Sequence, residues 1–289
     1  MAAVAHRLML LVLKALPKHL LSRAAGWAAM RRLPPSMRTP AARIFGRLVG
    51  VDFTEVREPL ASFESLQAFF TRHLRADARA VDSAPDALVS PCDGRWGSAG
   101  TVERGQLLQL KGRPYSLAQL LGDAGAAARF EGGAYATLYL APCDYHRFHA
   151  PCDATVLRAS YLPGALWPVN GIGLRGIDDL FAVNERICVY LSTTDRSEDV
   201  CFVAVGATLV GKIRLSFDDL ATNAPGAVPL ERRYEGVRLA KGQELGRFEF
   251  GSTIVLIVAP GIAQLDIQRP GTPVRFGQRI GTIATPQSD

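Results

Sequence analysis

The sequence predicts an α+β fold that is mainly antiparallel β, in which N-terminal amphipathic helices precede a compact, pseudo-duplicated domain of the β-sandwich or barrel-like type. Three observations support this prediction. Residues 1–50 contain nine Lys and Arg and no Asp or Glu. After residue 85, short apolar runs alternate with Gly, Pro and Asp, which is typical of strands and turns. Within that later part, two pairs of short segments resemble each other.

Composition and charge divide the chain into three parts. The 289 residues are 48% hydrophobic and 21% charged, as in globular proteins. The net charge of +6 is unevenly spread, because residues 1–50 carry only cations. We therefore expect a basic helical arm over 1–50, a helical linker over 51–84 and a β-rich domain over 85–289. Five cysteines in a chain of this size do not indicate a disulfide framework, so we expect a reducing compartment.

The arm predicts helices that lie on a membrane surface. Its first apolar run, residues 8–13, is far shorter than the roughly 20 residues that cross a bilayer. Helical spacing puts Leu8, Leu11, Val12 and Ala15 on one face. After Pro17, a second apolar and basic segment continues through Leu20, Leu21, Ala24 and Trp27. Basic amphipathic helices bind anionic lipid surfaces. Helices that cap the core, a transit peptide and a nucleic-acid-binding arm are the alternatives.

The body reads as buried strands joined by turns. β-Branched and aromatic residues favour strands over 135–140, 187–191 and 254–258. Helical patterns are confined to 116–121, 179–184 and the linker segment 66–74. The repeats are 90–94 with 150–154, which both contain Pro-Cys-Asp, and 242–246 with 277–281, which both begin Gly-Gln. They predict a duplicated arrangement of turns.

Two of the five histidines, His146 and His149, lie three residues apart. Histidine is both an acid and a base near neutral pH, so this density indicates chemistry. A structural, hydrogen-bonded pair is one alternative. Cys143, His146, His149 and Cys152 also repeat every third residue and offer metal ligands. Neither a strand nor a helix between these prolines brings all four together easily, and we expect no metal.

The segment Gly251-Ser252-Thr253 lies at the start of the most apolar predicted strand. A Gly-Ser pair alone carries no information, since Gly97-Ser98 is a second one without an assigned role. Here, however, a hydroxyl is held at the end of a rigid element, after a glycine that leaves its own carbonyl unshielded and permits a strained backbone. Those conditions suit attack of the Ser252 hydroxyl on the preceding peptide bond. In Pro91-Cys92-Asp93-Gly94, an Asp before Gly is most simply a turn residue.

Taken together, these segments resemble the phosphatidylserine decarboxylase family in its bacterial, membrane-associated form. The resemblance extends over nearly the whole chain and keeps the order of the blocks. The blocks are Leu16-Pro17-Lys18, Arg23 to Trp27, Tyr145 to Cys152, Tyr161 to Gly164, Phe181 with Asn184-Glu185-Arg186, Val205 to Gly211, and Lys241 to Phe248. One departure is Phe250, where the family often has Leu; both are large and apolar.

The resemblance implies a self-processing triad of Asp93, His149 and Ser252. Asp93 orients His149, His149 takes the proton of Ser252, and Ser252 attacks the Gly251 carbonyl. Cleavage gives a β chain (1–251) and an α chain (252–289) that begins with a pyruvoyl group made from Ser252. The pyruvoyl cofactor forms a Schiff base with the substrate amine and accepts the electrons released with carbon dioxide. His146 is the implied acid that reprotonates the α carbon.

The implied reaction converts phosphatidylserine to phosphatidylethanolamine. The expected partners are this lipid, an anionic membrane surface on the cytoplasmic side of the cell membrane, and the two chains of one precursor; a homodimer is compatible with these expectations, and nucleic acid is not among them. An ordinary serine hydrolase, a soluble pyruvoyl decarboxylase, a carrier-like β module and a zinc protein are the rivals. A hydrolase would leave the chain intact, and no Gly-x-Ser-x-Gly surrounds Ser252.

Overall fold

The computed structural model describes residues 18–109, 113–169, 171–194, 197–208, 212–223, 226–249 and 253–284. It confirms the α+β prediction, with N-terminal helices and a mostly antiparallel sheet; the described strands form no closed barrel. The helices are α1 (Lys18–Ala29), α2 (Pro35–Val49), α3 (Leu66–Phe70), α4 (Leu117–Leu121), α5 (Ala124–Arg129), α6 (Gly171–Gly176) and α7 (Leu180–Val183). Two 3-10 turns, Phe53–Glu55 and Leu60–Ser62, lie between α2 and α3.

The strands are β1 (Ala87–Val89), β2 (Gly94–Thr101), β3 (Gln106–Gln109), β4 (Arg113–Ser116), β5 (Ala134–Tyr139), β6 (Arg147–His149), β7 (Ala154–Leu162), β8 (Arg186–Ser192), β9 (Val200–Val205), β10 (Ile213–Leu215), β11 (Leu230–Arg233), β12 (Arg238–Leu239), β13 (Glu244–Phe248), β14 (Thr253–Val258), β15 (Ala263–Leu265), β16 (Pro273–Val274) and β17 (Arg279–Ile283). The main sheet has the order β11-β7-β8-β9-β14-β5-β2-β16, and β12 also pairs with β7. Two three-stranded sheets have the orders β1-β17-β15 and β10-β13-β6.

The three predicted strands are confirmed as β5, β8 and β14, which occupy the middle of the main sheet. All six residues of β14 are buried, because apolar clusters cover both faces of the sheet. Such two-sided burial explains why its sequence is continuously apolar rather than alternating. β14 is paired along its whole length with β9 on one side and β5 on the other.

The predicted helices at 116–121 and 179–184 are confirmed as α4 and α7. The third, predicted over 66–74, is shorter, because α3 ends at Phe70. Beyond it, Leu74 forms an antiparallel bridge with Val56, so the backbone bonds that would continue the helix go to the preceding turn instead. This bridge joins the two ends of the linker to each other.

The basic arm is helical where it is described. The predicted helix over 8–15 lies outside the described residues, whereas the second segment forms α1, and α2 follows. Proline at the start of α2 and a left-handed Gly50 (φ 88°) at its end mark its limits. α2 packs on a small cluster that includes Phe63 and Phe69. Within the described part of the chain, no helix is both long enough and apolar enough to span a bilayer.

The predicted duplication is confirmed at the level of strand pairing. We call β1, β2, β5 and β14–β17 the outer repeat, and β6–β10, β12 and β13 the inner repeat. β17 pairs with β1 and β15, just as β13 pairs with β6 and β10. Both pairings skip one residue at the same place, and β16 lies on the start of β2 as β12 lies on the start of β7. The two repeats meet where β14 pairs with β9.

The inner repeat is inserted into the outer one. In the inner repeat, the chain runs from β8 at Ser192 to β9 at Val200 through one short connection. At the matching point of the outer repeat, the chain leaves β5 at Tyr139 and returns to β14 only at Thr253. The two crossings between the repeats are therefore the segment after Tyr139 and the segment between Glu249 and Thr253, which we call the junction.

Candidate active site

The predicted site residues lie around the two crossings. His146 and His149 follow β5 in the chain, and Asp93 ends the turn between β1 and β2. β6, which ends at His149, pairs with β13, the strand that leads into the junction. The predicted cleavage site, Gly251 and Ser252, lies outside the described residues.

Asp93 is held at the base of the site by a buried arginine. Arg79 donates to both carboxylate oxygens of Asp93, from Nε at 3.0 and 3.2 Å and from Nη2 at 2.5 Å. Arg79 also pairs with Glu55 at 2.7 Å. The backbone N–H of Phe276 donates to Asp93 Oδ1 at 2.8 Å. Two residues therefore fix the carboxylate through three N–H donors, and one of them, Arg79, comes with Glu55 from the linker.

Gly94 lets the chain leave Asp93 in the required direction. A Cβ atom at this position would lie 2.3 Å from the Tyr139 carbonyl oxygen, far inside van der Waals contact. Only glycine permits this approach of β2 to β5. The Asp-Gly pair is thus a packing requirement as well as a turn.

His149 is positioned as a base. Its Nδ1 lies 2.9 Å from the Gly242 carbonyl oxygen, which can only accept, so this nitrogen carries the proton. Nε2 is then the acceptor, and it lies 3.3 Å from the Tyr145 hydroxyl. The imidazole is stacked on Phe276 with ring centroids 3.8 Å apart. Burial lowers the pKa of His149 to about 4, although the Gly242 carbonyl and the charges of Glu244 and Asp93 act in the opposite direction.

The described hydrogen bonds do not join Asp93 to His149 directly. The Gly242 carbonyl orients the imidazole, and Phe276 connects the two side chains, with its backbone N–H on Asp93 and its ring on His149. The charge of Asp93 reaches His149 through space, where it favours the imidazolium form and so raises the pKa. Of the two roles predicted for Asp93, stabilisation of the imidazolium agrees with this charge effect. The hydrogen bond that orients the imidazole is made to the Gly242 carbonyl instead.

His146 is fully buried against Phe70, with ring centroids 4.0 Å apart. Its Nδ1 donates to the Asp144 carbonyl oxygen at 2.9 Å, and Nε2 has no hydrogen-bond partner among the described residues. Burial and the nearby charge of Arg72 lower the pKa of His146 to about 3. His146 is therefore neutral at physiological pH and presents a bare Nε2 lone pair. Such a buried nitrogen calls for a partner that the described residues do not supply.

The flanks of the junction are rigid. Glu249 is buried and paired with Arg214 at 2.7 Å. Thr253 begins the central strand β14 opposite Val205 and Tyr139, and its hydroxyl is buried with no hydrogen-bond partner in the described ranges. Both ends of the junction are thus anchored, and unsatisfied polar atoms of Thr253 and His146 lie in its neighbourhood.

The alternative metal series is not assembled. Among the described residues, no group of three or more His, Cys, Asp or Glu side chains is arranged to hold a metal. Cys152 is buried in the apolar core, where burial raises the pKa of its thiol to about 12. All five cysteines are free thiols.

Sequence reasoning missed four residues that shape the site: Arg79, Tyr145, Gly242 and Phe276. Tyr145 is next to His146 in the histidine-containing segment. Gly242 begins one of the repeated Gly-Gln turns, and Phe276 directly precedes the other. Those positions could have been singled out as neighbours of known motifs. The Arg79–Asp93 pair has no comparable signal in the sequence.

Comparison with known proteins identifies relatives over nearly the full chain. A family model described as phosphatidylserine decarboxylase matches residues 66–282. A protein from Anaeromyxobacter sp. (strain K) is 45% identical over 282 residues, which cover 96% of this chain and 99% of that protein. Relatives from Myxococcus xanthus (38%, covering 94% and 97%) and Azotobacter vinelandii (40%, covering 95% and 98%) are similar over equal lengths. All three are named phosphatidylserine decarboxylase proenzyme.

Proposed function

Because this chain belongs to the phosphatidylserine decarboxylase family, we propose that it decarboxylates phosphatidylserine to phosphatidylethanolamine, using a pyruvoyl group that it makes from its own Ser252. The observation that carries the proposal beyond family membership is the state of His149. It is a buried, neutral imidazole whose Nε2 is an acceptor, on a strand paired with the one that enters the junction. A neutral base in a dry site is what activation of a serine hydroxyl requires.

The proposed self-processing assigns a step to each of these groups. His149 Nε2 accepts the Ser252 hydroxyl proton, and Oγ attacks the Gly251 carbonyl, so that the peptide C–N bond breaks and an ester forms. Elimination then breaks the ester, which leaves Gly251 as a carboxylate and residue 252 as dehydroalanine. After tautomerisation, water replaces the nitrogen, which leaves as ammonia. Asp93 stabilises the imidazolium formed in the first step, and Tyr145 hydrogen-bonds the same nitrogen before it accepts the proton.

The two chains need no covalent link after cleavage. The α chain, 252–289, contains β14 to β17, which pair with β9, β5, β2 and β1 of the β chain. These ladders hold β14, which the new N terminus directly precedes in the chain, in the middle of the main sheet. Once formed, the pyruvoyl carbonyl supplies an electron sink for the bond broken as carbon dioxide leaves. The residues around it fit that group, since His146 Nε2 and Thr253 Oγ1 are buried polar atoms that lack partners in the described structure.

His146 takes part in the decarboxylation step as a proton carrier. In the free protein its Nε2 is unprotonated, so it first accepts a proton, and it can then donate this proton to the α carbon after carbon dioxide has left. Arg72 lies close enough to disfavour the protonated form and thereby makes His146 a strong donor once it is charged.

Exposed apolar side chains support peripheral association with a membrane. Leu20 and Trp27 on α1, and Ile44 and Leu48 on α2, are all more than half exposed, at 62, 57, 62 and 80%. The basic side chains of the arm lie among them, as Arg31 does over the Trp27 ring. An arm that only capped the core would bury these side chains. The arrangement suits an anionic, cytoplasmic-facing lipid surface, where the substrate resides.

Denaturing mass spectrometry of the purified protein tests the proposal. Wild type should give two chains divided between Gly251 and Ser252, the smaller one blocked at its N terminus, and should release carbon dioxide from phosphatidylserine. Ser252→Ala should remain a single chain and lose all decarboxylation, because the cofactor cannot form. Ser98→Ala, at the other Gly-Ser pair, is the matched control and should process normally. An active wild type that stays uncut would contradict the mechanism.

A further inference from the structure

A cavity of about 200 Å³ lies between the basic arm and the junction. Arg23 of α1 and Met30, which follows that helix, form one wall, and Lys212 and Glu249 of the β domain form the other. Glu249 is the last described residue before the junction, so the cavity lies at the end of the segment that leads into it.

Positive charge in this cavity exceeds negative charge. Glu249 is the carboxylate that faces it, and it is already paired with Arg214 at 2.7 Å and lies 3.8 Å from Arg247. Lys212 is half-buried, and its backbone carbonyl accepts from the Glu249 N–H at 2.7 Å. Neither Lys212 nor Arg23 forms an ion pair within the described ranges. Two cations therefore face the cavity with no carboxylate of their own.

A second polar cavity, of about 240 Å³, lies beside Asp93 and differs in this respect. There Arg79 is neutralised by Glu55 and Asp93, and Arg275 also lies 3.8 Å from Glu55. The described residues that line it include four arginines and four carboxylates, so positive charge is not in excess there. In the cavity under α1, by contrast, Arg23 and Lys212 outnumber Glu249 among the described lining residues.

The surroundings of the cavity indicate which chemical groups a bound anion would have. α1 presents Leu20 and Trp27 to solvent, so an apolar surface adjoins the cationic cavity. A molecule with acyl chains, a phosphodiester and a reactive amine would match both regions. In a serine phosphodiester, the amine is separated from phosphorus by four covalent bonds, roughly 5 Å. A phosphate held by Lys212 would therefore put the amine within reach of the junction.

We propose that this cavity is the subsite for the phosphodiester group of the phospholipid substrate, with Lys212 as its main ligand and Arg23 as a second. The inference rests on the proposed function and adds a specificity determinant to it. Lysine binds phosphate as a compact point charge, and partial burial strengthens the interaction. The subsite selects serine that is attached to a phosphodiester over the free amino acid.

Binding to the uncut protein tests the subsite apart from turnover. In the Ser252→Ala background, calorimetry measures the Kd of glycerophosphoserine, which has the phosphodiester but no acyl chains. Lys212→Met should raise this Kd about 10-fold, the usual effect of losing a hydrogen bond to a charged group, and Lys212→Arg should largely restore it. Arg269→Met, which removes an exposed cation of the β15–β16 connection, should leave the Kd unchanged.

The processed enzyme supplies the second readout. Lys212→Met with Ser252 intact should still give two chains, and its KM for phosphatidylserine in uncharged detergent micelles should rise by a similar factor with kcat within about 2-fold. An unchanged Kd for glycerophosphoserine would overturn the subsite, as would a weakening seen only with micelles, which would make Lys212 a membrane contact. A self-cleaving wild type that does not decarboxylate phosphatidylserine would contradict the proposed function. The Kd of glycerophosphoserine for the uncut protein would still test the subsite in that case.

Discussion

Two Pro-Cys-Asp turns occupy matching places in the two repeats, and only one of them belongs to the candidate active site. Asp93 accepts from the backbone N–H of Phe276 at 2.8 Å, and Asp153 accepts from that of Lys241 at the same distance. The backbone exchanges are reciprocal, since His149 N–H donates to the Pro91 carbonyl and Val89 N–H to the Pro151 carbonyl, both at 2.8 Å. The aspartate is thus first a residue of the fold.

What differs is the surroundings of each turn. Asp93 has Arg79 and Glu55 beside it, supplied by the linker, whereas Asp153 lines an open cavity with Thr155 and Thr193. His149 in the inner repeat stands where the outer repeat has Val89, a fully buried aliphatic residue. The candidate site lies where the inserted repeat crosses the outer one, so its parts come from both repeats. The two repeats share the strand pairing, and the crossing brings the candidate site residues together.

Replacing His149 by its counterpart tests this comparison most severely. His149→Val should keep the fold, because valine already occupies the matching position, and should slow self-cleavage by about 10²- to 10⁴-fold through loss of the base. The fraction of single chain over time, measured by mass spectrometry, checks the rate. Val89→Ala is the matched control and should leave cleavage nearly unchanged.

The same variant should change the pH dependence of stability. The pKa of His149 is about 4 in the folded chain and near 6.5 when unfolded, so the unfolded state binds more protons between these values. Stability is therefore fully present above pH 6.5 and falls by roughly 1 kcal/mol per pH unit as the pH drops towards 4. His149→Val should lose this component. Urea unfolding at pH 7 and 5, with Ser252→Ala present in both proteins so that neither is cut, measures it, and identical pH slopes for the two proteins would contradict a buried, neutral His149.

Replacing either aspartate by asparagine removes the charge but nearly keeps the shape of the side chain, and the two replacements should differ in their effects. Asp93→Asn can still accept from Phe276, but it loses its charge beside His149 and leaves Arg79 with Glu55 alone. Since no hydrogen bond joins Asp93 to His149 in the described structure, we expect self-cleavage to slow by only about 10- to 100-fold, less than for a directly bonded triad. Asp153→Asn should process at the wild-type rate. Equal effects of the two variants would mean that both aspartates serve only the fold.

Local pattern accounts for what the sequence predicted. β14 is recognisable because its two-sided burial demands an uninterrupted β-branched run, and α4 because Ser116 caps it. The repeats were visible only in two short segments, whereas the structure extends them to whole strands whose sequences differ. Backbone pairing repeats there without repeating side chains, so no sequence pattern could reveal it.

The site was predictable in part from local pattern and in part from the resemblance. The spacing of His146 and His149 singled out the histidines, whereas their separate roles and that of Asp93 came from the resemblance. The contacts that define their states were not predictable, because Gly242 lies 93 residues from His149 and Arg79 binds Asp93 from the linker. A hydrogen bond between a backbone carbonyl and an imidazole has no effect on composition or hydrophobic periodicity, so the sequence pattern does not reveal it.

The two Gly-Gln turns offer the finest test of the comparison between the repeats. Gly242 and Gly277 have nearly equal positive φ angles of 80° and 82°, so alanine strains either backbone by about 1 kcal/mol. Their further costs differ, because a Cβ at Gly277 meets the Ala80 carbonyl oxygen at 2.7 Å, whereas one at Gly242 meets the methyl groups of Val81 at 3.0 and 3.1 Å.

The effects of the two substitutions on self-cleavage should have the opposite order to their effects on stability. The Gly242 carbonyl holds His149 Nδ1, while the matching Gly277 carbonyl accepts only the Asp82 backbone N–H. Gly277→Ala should therefore lower Tm more, and Gly242→Ala should slow self-cleavage more, by a few-fold, because a shifted carbonyl misdirects the imidazole. Thermal melts and cleavage time courses on both variants check the crossed result. If one variant were the worse in both measurements, orientation of His149 by Gly242 would have no separate effect, and the repeats would differ in stability alone.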